Sequence, residues 1–323
     1  MLQLVGLLAI SWLFIWFLEK GNLTVLGFTP TASRLKYFAI LFIVSAVFSA
    51  TTFLLRMHFV KEEYVFTKSL TASNVLLEIW YQFRTVLTEE LLCRGALLYL
   101  LIKKIGQTKA VLISSLIFAV LHWINAGVWG DITQMIIVFG FTFAMGLLLA
   151  YSYARTFSLL IPFGIHFGWN LIQNYIFPET TTGNHIFILA TPPPTVTISY
   201  VTFFIMILLP KVFVLLSDYL IIKQHKQVVL KLLIAFLFLL NIGYGQNQQI
   251  SRLKGSKIST SKIDEVVKRQ MDTANVQGLD LAILNDKKIT FIKSYGFKNK
   301  VKNELLDTNS VLYFAAFCKA VIA

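Results

Sequence analysis

Apolar runs of about 20 residues, long enough to cross a hydrocarbon layer as helices, recur along the chain with short polar breaks between them. They fall at residues 1–18, 36–56, 75–102, 108–122, 132–154, 157–177, 198–222 and 229–245. This pattern predicts an all-α, polytopic membrane helix bundle of about 7–8 transmembrane helices, with a short α+β soluble fragment at the C-terminus. The run at 75–102 carries charge on one face and the run at 108–122 is short. Both are therefore expected to pack inside the bundle rather than face lipid. The first run has no small-residue cleavage site at its flank Glu19-Lys20, so it is read as a first transmembrane helix and not as a removed signal.

Composition agrees with the pattern: 56% of residues are hydrophobic, 14% are charged, and the mean hydropathy is +0.70. A soluble domain of this length does not have that balance. The formal net charge of +13 would suit nucleic acid, but the basic residues sit between apolar runs and in the tail, without a basic patch interleaved with aromatics. No nucleic-acid partner is expected; the partner is the lipid bilayer. Lys20, Arg34, Lys36, Lys103, Lys104, Lys109, Arg155, Lys223, Lys226 and Lys231 fall in loops on one side, and only Arg56, Lys61 and Lys68 on the other. The positive-inside rule then places the N-terminus outside. Cys93 and Cys318 are far apart and show no metal-ligand spacing, so neither a disulfide framework nor a zinc ribbon is expected.

Three fragments place ionisable or strongly polar groups inside this apolar background: Glu89-Glu90-Leu-Leu-Cys93-Arg94, Phe118-Ala-Val-Leu-His122 and His166-Phe-Gly-Trp-Asn170. A charge at membrane depth costs several kcal/mol unless it is paired or lines a wet cavity. Glu90 and Arg94 are four apart and share a helix face. Their pairing would hold Glu90 ionised, because each partner offsets the other's desolvation. Glu89 points about 100° away and is left to act as a general base. His166 and Asn170 are also four apart, which suits helix-to-helix hydrogen bonding or stabilisation of an oxyanion. Each fragment alone reads as a structural charge network or helix glue. Together they supply what is needed to activate water against an amide. Glu89, His122 and His166 also form a potential ligand set for a divalent metal such as zinc with an open fourth position, and the sequence supports the metal and metal-free versions equally. Glu78 and Arg84 are placed at the interface, and His58, His185 and His225 in loops, outside the site.

The EExxxR, FxxxH and HxxxN pattern on successive apolar segments resembles the CPBP family of intramembrane proteases. That family includes the type II CAAX prenyl endopeptidases and the Abi proteins linked to bacteriocin processing and self-immunity. The resemblance covers residues 75–178 most closely and extends more loosely from 1 to 225. It implies a helical bundle with a site opening into the membrane, Glu89 as principal acid/base, Glu90 and Arg94 in support, and His122, His166 and Asn170 completing the site. The implied function is hydrolysis of peptide bonds in a membrane-associated peptide or lipidated protein substrate, CAAX-like or bacteriocin-like, in the bacterial cytoplasmic (inner) membrane. The alternative is a non-catalytic immunity or scaffold protein of the Abi type.

The division expected is a protease domain over 1–227, a signal-like or transmembrane segment over 228–246, and a C-terminal fragment over 247–323. In that fragment the pattern predicts a helix at Ile263–Ala274 and strands at Leu279–Leu284 and Ile289–Tyr295, with a turn at Asn285-Asp286. The fragment resembles the start of the serine beta-lactamase and penicillin-binding protein superfamily, in which a Phe-x-x-x-Ser-x-x-Lys element follows two strands. Here the equivalent run is Leu312-Tyr-Phe-Ala-Ala316-Phe-Cys318-Lys319. Ala316 occupies the serine position, and Cys318 adjoins Lys319 instead of standing one helical turn away. The fragment is expected to be an inactive remnant of a truncated or fused frame.

Overall fold

The computed structural model describes residues 2–192, 198–224, 231, 249–252, 256–285, 288–307 and 310. It divides into two compact units, Met1–Phe236 and Leu237–Ala323, which are taken separately below.

The first unit is helical. Its elements are α1 (Leu2–Glu19), α2 (Ala32–Phe59), α3 (Ala72–Arg94), α4 (Ala96–Ile105), α5 (Gln107–Leu121), α6 (Ile132–Thr156), α7 (Leu160–Leu171) and α8 (Tyr200–Ile222). Capping residues fix the starts of the long helices. Side-chain oxygens of Thr31, Thr71, Asp131 and Ser199 accept the backbone N–H groups of Arg34, Asn74, Gln134 and Thr202, satisfying donors that a helix leaves free at its first turn. A two-stranded antiparallel ribbon, β1 (Tyr64–Phe66) with β2 (Phe187–Leu189), ties the loop after α2 to the loop after α7 in the register Val65 to Ile188. Arg56 fastens the same end of the bundle: Nε and Nη2 donate to the buried Glu62 carboxylate at 2.9 and 2.7 Å, and Nη1 donates to Glu179.

Among the described residues four helices are long and apolar enough to cross a membrane: Ala32–Phe59, Gln107–Ile124, Ile132–Thr156 and Tyr200–Ile222. This is an integral membrane protein. The other expected spans differ. The run at 75–102 is two helices rather than one, because Gly95 takes a non-helical ψ of −132° between α3 and α4. The run at 157–177 is a helix of 12 residues continued by a π turn over Ile172–Ile176. The first run is a single helix whose apolar part, Gln3–Glu19, is shorter than the four spans, and 229–245 lies outside the described residues except for Lys231. Contrary to the expectation for these runs, neither α3 nor α5 is fully enclosed. Leu76 and Leu77 on α3, and Leu112, Leu116 and Val120 at helical spacing on α5, stay exposed as apolar stripes suited to lipid.

The main core joins α1, α4, α5 and α6 through Ile15, Leu98, Tyr99, Ala110, Ala150 and Tyr153. The helix that carries the third motif, α7, lies against α2 at unusually short range. A Cβ at Gly168 would stand 2.3 Å from the Phe42 carbonyl oxygen and one at Gly164 3.0 Å from that of Phe38. This is the close approach that small residues four apart allow between membrane helices. Ser49 Oγ on α2 then donates to the Trp169 carbonyl at 3.0 Å. One turn earlier on α2, Ser45 donates at 2.8 Å to Asp218 of α8, both fully buried.

In the second unit, β3 (Gln249–Ser251) pairs with β4 (Lys257–Ser259). Helix α9 (Thr260–Ala274) precedes an antiparallel sheet of β5 (Gly278–Asn285), β6 (Lys288–Asn299) and β7 (Glu304–Leu305). Lys293 and Tyr295 of β6 donate to the Asp264 carboxylate of α9, both at 2.7 Å. The expected helix and both strands occur here with longer ends. Asp286, Ala316, Cys318 and Lys319 lie outside the described residues.

Candidate active site

The end of α3, the end of α5 and the middle of α7 meet, and they bring all six residues singled out in the sequence into one cluster. Glu90 and Arg94 have fully buried side chains, with Arg94 Nη1 donating to Glu90 Oε1 at 3.2 Å across one helical turn. His166 Nδ1, from α7, reaches the same Glu90 oxygen at 2.8 Å. Glu90 is thus shared between a guanidinium and an imidazole, a contact between helices that spacing within one helix does not reveal.

Glu89 differs from its neighbour. Its side chain is 34% exposed where that of Glu90 is wholly enclosed. Its Oε2 is buried and makes no hydrogen bond, yet stands 3.6 Å from His166 Nε2 and 4.0 Å from His122 Nε2. Both histidine rings are oriented from behind. His122 Nδ1 donates to the Phe118 carbonyl at 2.7 Å, which leaves the Nε2 lone pair facing Glu89. His166 Nδ1–H is committed to Glu90, and Asn170 Nδ2 donates to His166 Nε2 at 3.1 Å.

The Phe118 ring occupies the centre. Its face lies 3.9 Å from the Arg94 guanidinium, and it packs against the rings of His122 and His166 at 4.4 and 5.6 Å between centroids. A buried cation over an aromatic face gains from the ring quadrupole, by about 2 kcal/mol when desolvated. The sequence reading used Phe118 only as part of a motif; its distance from Arg94 in the chain gave no sign of this contact.

As placed, the cluster does not fit a metal. Among the described residues no group of three His, Cys, Asp or Glu side chains is arranged to hold an ion. Glu89 to His122 at 4.0 Å is wider than the roughly 3.3 Å between ligand atoms that tetrahedral bonds of about 2 Å require. The side chains themselves make up a hydrolytic set. They can hold a water against Glu89 Oε2 and His122 Nε2, remove its proton, and offer N–H donors to an oxyanion. Of the histidines set aside, His225 lies outside the described residues, and His58, expected in a loop, is in the last turn of α2. His58 packs against Phe59, and His185 stacks near Tyr175 in the loop before β2.

Residues 71–172, about a third of the chain, match the model of the family described as type II CAAX prenyl endopeptidase Rce1-like. The matched stretch runs from the cap of α3 to the end of α7 and contains all six clustered residues. No curated protein and no solved structure gives a significant match.

Proposed function

We propose that this chain, whose residues 71–172 belong to the Rce1-like family of type II CAAX prenyl endopeptidases, is an intramembrane endopeptidase that cleaves a membrane-associated peptide or protein, CAAX-like or bacteriocin-like, in the bacterial cytoplasmic membrane. The family is one of proteases, and one of the motif helices, Gln107–Ile124, is itself long and apolar enough to cross a membrane. The observation that carries the reading is the unequal state of two adjacent carboxylates. Glu90 is enclosed and bound on two sides, whereas Glu89 keeps an oxygen without a partner between two imidazoles.

In this reading Glu89 takes a proton from a water that His122 Nε2 also holds, and the hydroxide adds to the scissile carbonyl. The second N–H of the Asn170 amide stabilises the oxyanion, and His166, fixed by Glu90 whose position Arg94 holds, orients that amide through its Nε2. Collapse of the adduct breaks the C–N bond as Glu89 returns its proton to the leaving amine. Each step uses a group already oriented, which is how a preorganised site lowers a barrier. Removal of the base should cost about 10²–10⁴-fold in kcat.

The test is cleavage of quenched fluorescent peptides, with and without a prenyl group, by the detergent-purified chain beside Glu89→Gln, each with and without chelator. Cleavage that is lost in the variant supports the reading. A rate abolished by chelator and restored by zinc would assign Glu89, His122 and His166 as metal ligands after a small closure of the cluster. Cleavage unaffected by Glu89→Gln, or no cleavage by the folded chain alongside bacteriocin resistance that survives the substitution, would favour an immunity or scaffold role.

A further inference from the structure

Two buried serines reach across the bundle to backbone carbonyls beside the site. Ser114 Oγ on α5 donates to the Cys93 carbonyl of α3 at 2.9 Å, and Ser49 Oγ on α2 donates to the Trp169 carbonyl of α7 at 3.0 Å. Ser114 is 0% and Ser49 1% exposed. A hydroxyl inside a helix ordinarily bonds back to the carbonyl one turn earlier. Thr51, Ser115 and Thr142 do so, to Val47, Val111 and Val138 of their own helices. Ser114 and Ser49 instead give their protons to another helix.

Both receiving carbonyls stand where a helix that carries site residues loses its regular ladder. Cys93 is the last residue but one of α3, which stops at Gly95, and the final carbonyls of a helix lack donors from a next turn. Trp169 lies near the end of α7, and its carbonyl also accepts the Ile172 N–H at the change to the π turn over Ile172–Ile176. Each carbonyl belongs to the peptide group that leads into a site residue: Cys93 into Arg94, and Trp169 into Asn170. A peptide group is planar, so a bond that fixes its oxygen also fixes the N–H and Cα of the residue that follows. The two bonds act on opposite sides of one ring. His166 Nδ1 is bonded to Glu90, the partner of Arg94, and His166 Nε2 accepts from Asn170.

We propose that Ser114 and Ser49 are positioning residues that latch the ends of α3 and α7, so that Arg94 holds Glu90, and Asn170 holds its amide, in the geometry that hydrolysis requires. Their part in catalysis rests on the protease reading; their part in holding His166 between Glu90 and Asn170 does not. Each serine acts through one carbonyl and not on the substrate. Without its latch a helix end can tilt, and a misplacement of about 1 Å in an active site can cost on the order of 100-fold in rate.

The test is solid-state NMR of the full chain in lipid, with histidine as the one isotope-labelled residue type. The ring nitrogens of His166, identified by their loss in His166→Gln, report both latches. Ser114→Ala should move the Nδ1 signal towards its position in Glu90→Gln, and Ser49→Ala should move the Nε2 signal towards its position in Asn170→Ala. Ser115→Ala, which removes an equally buried hydroxyl bonded to its own helix, should move neither. Unmoved His166 signals in both latch variants would overturn the proposal whether or not the chain is a protease. In the cleavage assay, Ser114→Ala and Ser49→Ala should each lower kcat at least about fivefold with KM nearly unchanged, and Ser115→Ala should not. Ser114→Cys and Ser49→Cys keep the volume but offer only a weak donor, so they should be as slow as the alanine variants. Full activity in the cysteine variants would overturn the hydrogen bond as the cause, and moved His166 signals with kcat unaltered would overturn the role in hydrolysis.

Discussion

Replacing Arg94 by leucine tests how Glu90 is held. Both side chains of the pair are fully enclosed, so solvent screening does not weaken the effect. Breaking a buried pair by removing one partner costs about 3–5 kcal/mol, because the remaining charge is left without compensation. The loss of the Phe118 ring contact with the guanidinium at 3.9 Å adds to that, while the surviving His166 contact to Glu90 at 2.8 Å pulls the value towards the lower end. At roughly 2–4 °C per kcal/mol for a domain of this size, the melting temperature should fall by about 6–16 °C. The assay is a double-mutant cycle followed by thermal unfolding in detergent, with Arg94→Leu, Glu90→Leu and the two combined. Removing both charges leaves no orphan charge, only the His166 Nδ1–H without its acceptor, so the double variant should be more stable than Arg94→Leu alone and the coupling should reach at least about 2 kcal/mol. Additive losses would refute the view that each charge is tolerated because of the other.

Gly168→Ala should destabilise by about 1–3 kcal/mol, the usual cost of overpacking, since its Cβ would meet the Phe42 carbonyl at 2.3 Å; it should also reduce cleavage through displacement of His166, measured by melting and rate together. His122→Ala should cut kcat by about 10²–10⁴-fold while leaving the melting temperature nearly unchanged, because this side chain is 21% exposed and its one bond within the fold goes to its own helix. In the second unit, burial raises the affinity of Asp264 for a proton, but the hydrogen bonds from Lys293 and Tyr295 outweigh it and hold the carboxyl below its usual range. A depressed carboxyl pKa contributes stability above the unfolded value of about 3.9, and that contribution is lost as pH falls through the folded value. Hydrogen exchange over 260–299, corrected for intrinsic rate, should show protection falling below about pH 4, and Asp264→Asn should remove that step.

Much of the site was legible because helical spacing is a strict geometric rule. Glu90 with Arg94, and His166 with Asn170, are four apart and do meet. What spacing could not supply is the third dimension. The Glu90 to His166 bond, the Phe118 ring under Arg94 and the Ser45 to Asp218 bond join residues on different elements. The Gly164 and Gly168 contact with α2 was present in the sequence as a small-residue spacing that the reading passed over. Span lengths were less legible, because hydropathy runs through Gly95, where the backbone turns and separates α3 from α4. Nor does hydropathy separate a lipid-facing stripe from a core-facing one, so α3 and α5 were expected to be enclosed. In the second unit the alternation in β5 and β6 was strong enough to read, with the strands running one or more residues further at their ends.

The most direct test of the account is single-turnover cleavage of the best peptide by Glu89→Gln and Glu90→Gln, side by side and each shown to be folded. The account predicts that Glu89→Gln loses the chemical step with little change in melting temperature, whereas Glu90→Gln, at the buried junction of Arg94 and His166, lowers the melting temperature as well as the rate. Cleavage retained in Glu89→Gln would contradict the assignment of Glu89 as the base.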